Sequence, residues 1–254
     1  MPSSPALEIL WETDRLVAVQ KPAGLATIPG RAETTSVLEQ LAVQLGLPHR
    51  GETDPRLRVV HRLDKETSGV LLFAKDRDAQ RHLSHQFQNN SIAKEYLAIV
   101  SGRPGQESGE IDAPLAASTS SPQHMQISES RGRPARTLWK LEELFGSYAL
   151  IRVFPKTGKT HQIRVHLKSI GLPLAVDPLY NPTRAPAQGG IYLSAFKRDY
   201  RRHGHEERPL IDRLTLHAEK LNFANVDGQP VELTAALPKD FRAALNQLRK
   251  FGKR

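Results

Sequence analysis

The sequence contains no cysteine and no long apolar segment. The absence of cysteine from its 254 residues excludes disulfides, thiolate catalysis and cysteine-ligated zinc or iron–sulfur centres. No apolar stretch approaches the roughly 20 residues that a membrane-spanning helix needs. The N-terminal residues also lack the basic and apolar regions of a secretory signal. We therefore expect a cytoplasmic protein that is not associated with a membrane.

Acidic residues are also fewer than basic residues. The chain has 27 Asp and Glu residues against 36 Lys and Arg residues, which gives a formal net charge of +9. A folded protein with this balance most often binds nucleic acid, although many basic proteins bind no particular partner. The length fits one large domain or two small ones, and we expect a single domain over residues 1–254.

The spacing of apolar residues predicts an α+β fold in which strands outnumber helices. A helix is expected from the cap Ser36 to Gly46, a second from the cap Asp76 to Asn89, and a last one from the cap Asp240. Alternating or β-branched apolar residues predict strands at 8–12, 16–19, 57–60, 70–74, 92–100, 110–115, 124–127, 136–144 and 148–154.

The segment HRLDKETSG, residues 61–69, lies between two of these predicted strands. Asp64 therefore falls on a strand-to-strand connection, followed by the turn-forming Thr67, Ser68 and Gly69. A carboxylate on such a rigid connection could act as a nucleophile or as an acid/base group. A single aspartate in a turn more commonly satisfies only local hydrogen bonds, so the segment alone leaves both interpretations open.

HRLDKETSG resembles the signature of the RluA-type pseudouridine synthases. Four further segments resemble other motifs of that family, in the family's order: RLVAVQKPAGLATIPG from Arg15, AKEYLAIVSG from Ala93, KTGKTHQIRVHLKSIGLPL from Lys156 and LHAEKLNF from Leu216. The resemblance implies a large mixed, mostly antiparallel sheet flanked by helices, which agrees with the apolar pattern. It also implies an RNA pseudouridine synthase that isomerises specific uridines in rRNA or tRNA and needs no cofactor and no metal.

The resemblance assigns catalytic roles to three residues. Asp64 would attack a flipped-out uridine, and Arg164 would keep the carboxylate ionised. Tyr96 would stack on the target base, with proton transfer as its alternative role. A cation is expected on physical grounds as well, because burial of an unpaired carboxylate raises its pKa. The local pattern places Arg164 one turn inside a helix that Thr160 can cap.

Several basic residues are candidates for RNA binding. By the resemblance, Arg62 would fill the gap that the flipped nucleotide leaves. Lys156, Lys159 and His161 precede or begin the helix that carries Arg164, where backbone N–H groups favour phosphate. A basic and aromatic insertion at about 181–213 contributes further candidates, although it could equally be a solvated surface segment: Lys197, Arg198 and Arg201.

A metal site is not expected. His161 and His166 are five residues apart, which does not stack them as the i, i+4 spacing of helical zinc ligands does, and no acidic third ligand is near. The sequence departs from the family where AVDPLYN, residues 175–181, lacks the usual Gly before its Asp, and where LNFANV replaces the usual ending. Neither departure involves the proposed catalytic residues, so they bear only on the structure expected for the loops around the site.

Two other functions compete with the synthase. One is a catalytically inert RNA-binding or ribosome-assembly protein of the same fold, against which the intact Asp64, Tyr96 and Arg164 argue. The other is a nucleoside glycosidase, which would release free base and would have little need of a high net charge. Because the resemblance starts near the first residues of the chain, we expect no S4-type RNA-binding domain ahead of the core, so RNA recognition would come from the core and its insertions. No long apolar heptad or exposed apolar stretch stands out, so we expect a monomer.

Overall fold

The computed structural model describes residues 5–30, 35–47, 56–121, 123–181, 189–197, 200 and 206–252. Within these ranges ten strands belong to one large mixed sheet, two more form a separate ribbon, and four α-helices accompany them. The predicted α+β class is thereby confirmed. The strands are β1 (Glu8–Glu12), β2 (Leu16–Lys21), β3 (Arg58–Val59), β4 (Ser68–Ala74), β5 (Ala93–Ser101), β6 (Ser108–Asp112), β7 (Leu115–Ala117), β8 (Met125–Ile127), β9 (Arg136–Phe145), β10 (Tyr148–Pro155), β11 (Leu216–Ala224) and β12 (Pro230–Thr234). The helices are α1 (Val37–Leu45), α2 (Arg77–Gln88), α3 (Gln162–Ser169) and α4 (Lys239–Phe251).

The chain divides into two compact units. The first unit comprises residues 1–94 and 218–236, and the second comprises residues 95–217 and 237–254. In the described ranges, no helix combines the length and the apolar character that crossing a bilayer requires.

The first unit has the strand order β1-β2-β4-β11, with β3 added to β4 and β12 added to β11. Strand β2 pairs antiparallel with both β1 and β4. Every residue of β4 is buried, as is typical of a strand covered on both faces. Leu16, Ala18, Val70 and Leu72 form one core cluster with Leu83 of α2, because alternate residues of a strand face the same side.

The helix caps predicted for the first unit are confirmed. The Ser36 hydroxyl accepts a hydrogen bond from the Glu39 N–H at 3.2 Å, and α1 ends at Gly46 in the left-handed region, with φ 63°. A carboxylate oxygen of Asp76 accepts from the Ala79 N–H at 2.8 Å, and α2 ends at Asn89. Both caps depend on contacts within one helical turn, which explains why the sequence alone predicts them.

The second unit has the strand order β5-β10-β9-β6, and each of these pairs is antiparallel. The single strand predicted at 110–115 is wrong. Strand β6 ends at Asp112, and β7 begins at Leu115 as part of the two-stranded ribbon with β8. Pro114 lies between them, and a proline has no N–H with which to continue a ladder of backbone hydrogen bonds.

Helix α4 packs its apolar face into the core of the second unit. The buried residues are Phe241, Ala244, Leu245 and Leu248. The predicted cap at Asp240 is wrong, because the helix begins one residue earlier with Pro238 at the N-cap position. The Asp240 carboxylate instead accepts two hydrogen bonds from the Arg213 guanidinium, at 2.6 and 2.8 Å.

Candidate active site

Asp64 lies on the connection between β3 and β4, as predicted. Its backbone carbonyl accepts a hydrogen bond from the Thr67 N–H at 3.0 Å, which closes a turn before β4 begins. Asp64 is half-buried, and the neighbouring Arg62 and Lys65 are exposed. We refer to residues 61–69 as the catalytic loop, after the role proposed for Asp64 below. Charged side chains on both sides of Asp64 thus reach solvent.

The backbone on either side of Asp64 is fixed by residues from β2 and from the segment after it. Lys21 is fully buried, and its ammonium donates to the carbonyl of Lys65 at 2.7 Å and to that of Pro22 at 2.8 Å. The Thr27 hydroxyl donates to the Leu63 carbonyl at 3.0 Å and accepts from the Leu63 N–H at 3.2 Å. Buried polar groups satisfied in this way hold a loop in one conformation.

His61 anchors the start of the catalytic loop as a neutral ring. Its Nε2 accepts a hydrogen bond from the Leu72 N–H at 3.0 Å, and its ring stacks on Phe87 with centroids 4.6 Å apart. Burial, together with the charge of Lys94, lowers the pKa of His61 to about 3. A neutral imidazole is required for the acceptor role, so His61 positions the loop and does not titrate near pH 7.

Gly69 ends the catalytic loop at a place where no other residue fits. Its φ is 127°, in the region that favours glycine, and a Cβ there would lie 2.1 Å from the backbone oxygen of Ala218. Strand β4 therefore approaches β11 closely at its first residues. The glycine of HRLDKETSG is explained by this contact and not by the turn alone.

Arg164 lies on α3 in the second unit and forms a buried ion pair. Its Nε and Nη2 donate to the two carboxylate oxygens of Asp177 at 2.8 and 2.7 Å. The Asp177 side chain is fully buried, and that of Arg164 is 7% exposed. The guanidinium carbon also lies 5.0 Å from the ring centroid of Tyr180. A bidentate pair with a stacked ring fixes the guanidinium plane.

The sequence interpretation did not give Asp177 a role, although its segment was singled out as a departure from the family pattern. The Asp177 carboxylate accepts further hydrogen bonds from the backbone N–H groups of Leu179 and Tyr180, at 3.0 and 3.1 Å. The Tyr180 hydroxyl accepts from the Met125 N–H at 2.8 Å and lies 2.8 Å from His161 Nδ1. The sequence does contain a signal for this role of Asp177. It is an acidic residue close after the helix that carries Arg164, and Pro178 and Tyr180 follow it.

Helix α3 does not begin as predicted. The N-cap is His161, with φ 53° and no side-chain cap, so the cap predicted at Thr160 is wrong. Gln162 supplies the local hydrogen bonds instead. Its Oε1 accepts from the Lys159 N–H at 3.0 Å, and its Nε2 donates to the Thr137 hydroxyl at 3.0 Å. The long-range contact with Thr137 on β9 determines where the helix starts.

Tyr96 is half-buried on β5, where it lies opposite Val153 of β10. It packs against the core cluster that includes Ala98 and Ile151. An aromatic ring supported by a core on one side is suited to stacking on a base.

The candidate RNA-binding residues of the second unit have different surroundings. Lys156 is exposed directly after β10, and Lys159 is half-buried. The Lys197 ammonium lies 5.0 Å from the ring centroid of Phe251. Arg198 and Arg201 lie outside the described residues.

The predicted site residues are divided between the two units. Asp64 and Arg62 belong to the first unit, and Tyr96, Arg164 and the other described candidates belong to the second. That these residues act on one nucleotide stays a prediction.

The two histidines weighed as metal ligands have other partners. His166 is buried, with its Nδ1 2.8 Å from the Thr137 hydroxyl and its Nε2 2.9 Å from the Ala113 carbonyl oxygen. His161 contacts Tyr180 as described. Among the described residues, no group of three or more His, Asp or Glu side chains is arranged to hold a metal ion.

The fold is a large mixed sheet that carries a half-buried aspartate on a connection between strands, and comparison with known families gives the class of protein. The family model for RNA pseudouridylate synthase matches residues 15–169. The chain belongs to this family, and the predicted RluA-type relationship is confirmed.

Named relatives support the same assignment. The chain is 35% identical over 247 residues to ribosomal large subunit pseudouridine synthase D of Nitrosomonas europaea, covering 96% of this chain and 65% of that protein. It is 33% identical to the dual-specificity RNA pseudouridine synthase RluA of Vibrio vulnificus, covering 87% of this chain and 79% of that protein. The structure of human RNA pseudouridylate synthase domain containing 4 matches with a TM-score of 0.69 and 29% identity, covering 95% of this chain and 93% of that one. The chain thus spans about two thirds of the length of the Nitrosomonas relative.

Proposed function

We propose that this chain is an RNA pseudouridine synthase that isomerises specific uridines in rRNA or tRNA. The observation that carries the proposal is the catalytic loop: Asp64 is half-buried and reachable, while Lys21 and Thr27 fix the backbone beside it. Relatives named for the ribosomal large subunit and for dual specificity favour rRNA as the first substrate to test, with tRNA second.

The reaction conserves every atom of the nucleotide. The bond between N1 of uracil and C1′ of the ribose breaks, the base rotates, and C5 bonds to C1′. The proton lost from C5 is balanced by one gained at N1, so no oxidant or reductant takes part. Asp64 is the proposed nucleophile, and a nucleophile that is ionised and fixed in position lowers the barrier to the first step.

Tyr96 and Arg164 are proposed to complete the site. Tyr96 would stack on the detached base and retain it until it rejoins the ribose. Arg164 would favour the ionised form of Asp64, and the pair with Asp177 would hold its guanidinium in the orientation this requires.

Arg62 is proposed to occupy the vacancy that the flipped nucleotide leaves in the RNA. Its exposure next to Asp64 supports this role. Lys156, Lys159, His161 and Lys197 are proposed to contact the RNA backbone, along with Arg198 and Arg201. The two units would then act as one catalytic domain, present as a cytoplasmic monomer. Light scattering coupled to size-exclusion chromatography tests the monomer.

The decisive test is pseudouridine mapping in total RNA from cells that lack the gene, complemented with the wild-type chain or with Asp64→Asn. We expect one or a few sites to disappear without the gene and to return only with the wild-type chain. Asp78→Asn is the matched control, since Asp78 lies exposed on α2 and forms a surface ion pair with Arg81, and it should restore every site.

Other outcomes identify the competing functions. If Asp64→Asn restores the sites as well as wild type does, Asp64 is not the nucleophile. If no site depends on the gene although the protein binds RNA, the chain is an inert RNA-binding protein. Release of free uracil from nucleosides by the purified protein would identify a glycosidase.

A further inference from the structure

The first unit carries a cleft at the end of β4 that is remote from the catalytic loop. Six charged residues line it: Asp14 in the β1–β2 turn, Arg56 and Arg58 at β3, Lys75 and Asp76 after β4, and Arg77 at the start of α2. The cleft has a volume of about 360 Å³. We call these six residues the basic cleft. Strand β4 separates it from Asp64 by roughly 20 Å, at about 3.3 Å per residue.

Two lining residues are neutralised by partners beside the cleft. The Asp76 carboxylate accepts two hydrogen bonds from Arg15, at 2.7 and 2.9 Å, and this contact holds the pKa of Asp76 well below its usual range. Lys75 forms an ion pair with Glu12 and donates to the Thr13 carbonyl at 2.7 Å. Neither residue therefore contributes net charge to the cleft.

Taken together, the six lining side chains carry four positive and two negative charges, a net charge of +2. Arg56 and Arg77 are exposed at the mouth of the cleft, Arg58 is half-buried in it, and Asp14 is the opposing carboxylate. In the described part of the chain, neither Arg56 nor Arg77 has a carboxylate within ion-pair distance. Guanidinium groups in this arrangement match the geometry of phosphate oxygens.

We infer that the basic cleft binds a backbone phosphate of the RNA substrate, several nucleotides from the target uridine; this inference rests on the proposed function. All six lining residues are charged and polar atoms supply most of the lining surface, which favours an anionic ligand over a base or an apolar side chain. A contact of this kind fixes the position of the RNA without reading its sequence. It would hold the substrate at a second point while the catalytic loop acts on the uridine.

The test measures binding of a fluorescein-labelled 40-nucleotide RNA hairpin to the full chain between about 50 and 200 mM salt. A range of salt concentrations is used because loss of one phosphate contact lowers the affinity and also reduces its dependence on salt. Arg56→Gln and Arg77→Gln should each weaken binding about three- to tenfold at the upper salt concentration. Each should also reduce the slope of log K against log salt by about 0.7 to 0.9. Arg242→Gln is the matched control, an exposed arginine on α4 with the same change in charge.

The opposite change provides a second, independent readout. Asp14→Asn removes the carboxylate that opposes the guanidinium groups and should tighten binding about two- to threefold. A variant that folds poorly cannot bind more tightly, so this result is separate from any loss of structure.

The proposal is overturned if Arg56→Gln and Arg77→Gln bind the hairpin as Arg242→Gln does, or if Asp14→Asn does not tighten binding. It is also overturned if the affinity for labelled polyglutamate follows the variant series and the affinity for RNA does not, because the partner is then an acidic protein. Pseudouridine formation is measured in parallel. If the cleft does not bind phosphate, the variants keep wild-type RNA affinity and the wild-type chain still forms pseudouridine. If the proposed function is wrong, no pseudouridine forms, although RNA affinity still changes among the variants as predicted.

Discussion

The catalytic loop of the first unit and the arginine pair of the second unit are held in place in different ways. Beside Asp64, backbone atoms of the catalytic loop are anchored, because the carbonyls of Lys65 and Leu63 accept hydrogen bonds from Lys21 and Thr27. Around Arg164 the anchored atoms are those of the functional side chain itself, which Asp177 fixes through two hydrogen bonds.

This difference follows from what each residue is proposed to do. A nucleophile must present its carboxylate to a substrate, so its position is set most effectively through the backbone that carries it. A cation that favours the ionised form of a carboxylate acts through a fixed charge, so burial and a bidentate partner suit it. Substitutions of Lys21 or Thr27, which hold the catalytic loop, and of Asp177, which holds Arg164, should therefore differ in their effects on stability and on activity.

The largest effect is expected for Gly69→Ala at the end of the catalytic loop. The added Cβ would lie 2.1 Å from the Ala218 oxygen, and φ 127° is strained for alanine. We expect a loss of more than about 5 kcal/mol in the free energy of unfolding, enough to prevent folding of a protein of ordinary stability. Urea unfolding and soluble yield measure it. Gly105→Ala is the control, since its Cβ would meet no atom within 4 Å, and a similar loss there would contradict the explanation.

The next largest effect is expected for Asp177→Ala in the second unit. It removes the carboxylate that accepts two hydrogen bonds from the buried Arg164 guanidinium, which costs about 3 to 5 kcal/mol in the free energy of unfolding. Glu110→Ala removes an exposed partner of Arg136 and should cost far less, because solvent screens an ion pair at the surface. Denaturant unfolding of both variants checks this, and equal losses would mean that the Arg164 pair is not the stabilising contact it is taken to be.

Lys21→Met distinguishes anchoring of the backbone from general stability. It removes the donor to the carbonyls of Pro22 and Lys65 and should cost about 2 to 3 kcal/mol. Because it also releases the backbone beside Asp64, we expect kcat for pseudouridine formation to fall by a factor of at least about 100, even at temperatures where the variant stays folded. A variant that loses stability but keeps kcat would show that Lys21 does not position the catalytic loop.

The smallest effect per unit of the variable changed is the pH dependence contributed by His61. Its pKa is about 3 in the folded chain and near 6.5 when unfolded, so the unfolded state binds the extra proton between these values. The stability contributed by neutral His61 is full above pH 6.5 and is lost as pH falls, by up to about 1.4 kcal/mol per pH unit. The buried His166, whose pKa burial also lowers, acts in the same direction.

Urea unfolding of the wild-type chain and of His61→Gln at pH 6.5, 5.5 and 4.5 tests this contribution. The variant should start less stable, because it alters the contact with the Leu72 N–H, and should lose less stability on acidification. Parallel pH profiles for the two proteins would show that His61 does not titrate on unfolding.

The sequence by itself determined the features that depend on contacts within a few residues. The caps at Ser36 and Asp76, the end of α1 at Gly46 and the strand connection that carries Asp64 were predicted because each rests on a local backbone preference or a single-turn hydrogen bond. The motif around Asp64 was also sufficient to predict the family. None of these features requires knowledge of what packs against them.

Tertiary structure decided the contacts between residues distant in sequence. The burial of Lys21 over the carbonyl of Lys65, 44 residues away, has no local signal. Helix α4 begins before Asp240 while that carboxylate pairs with Arg213, and α3 begins at Gln162, whose side chain bonds to β9. A side chain with several possible hydrogen-bond partners takes the one that burial brings within reach, and burial depends on the whole fold.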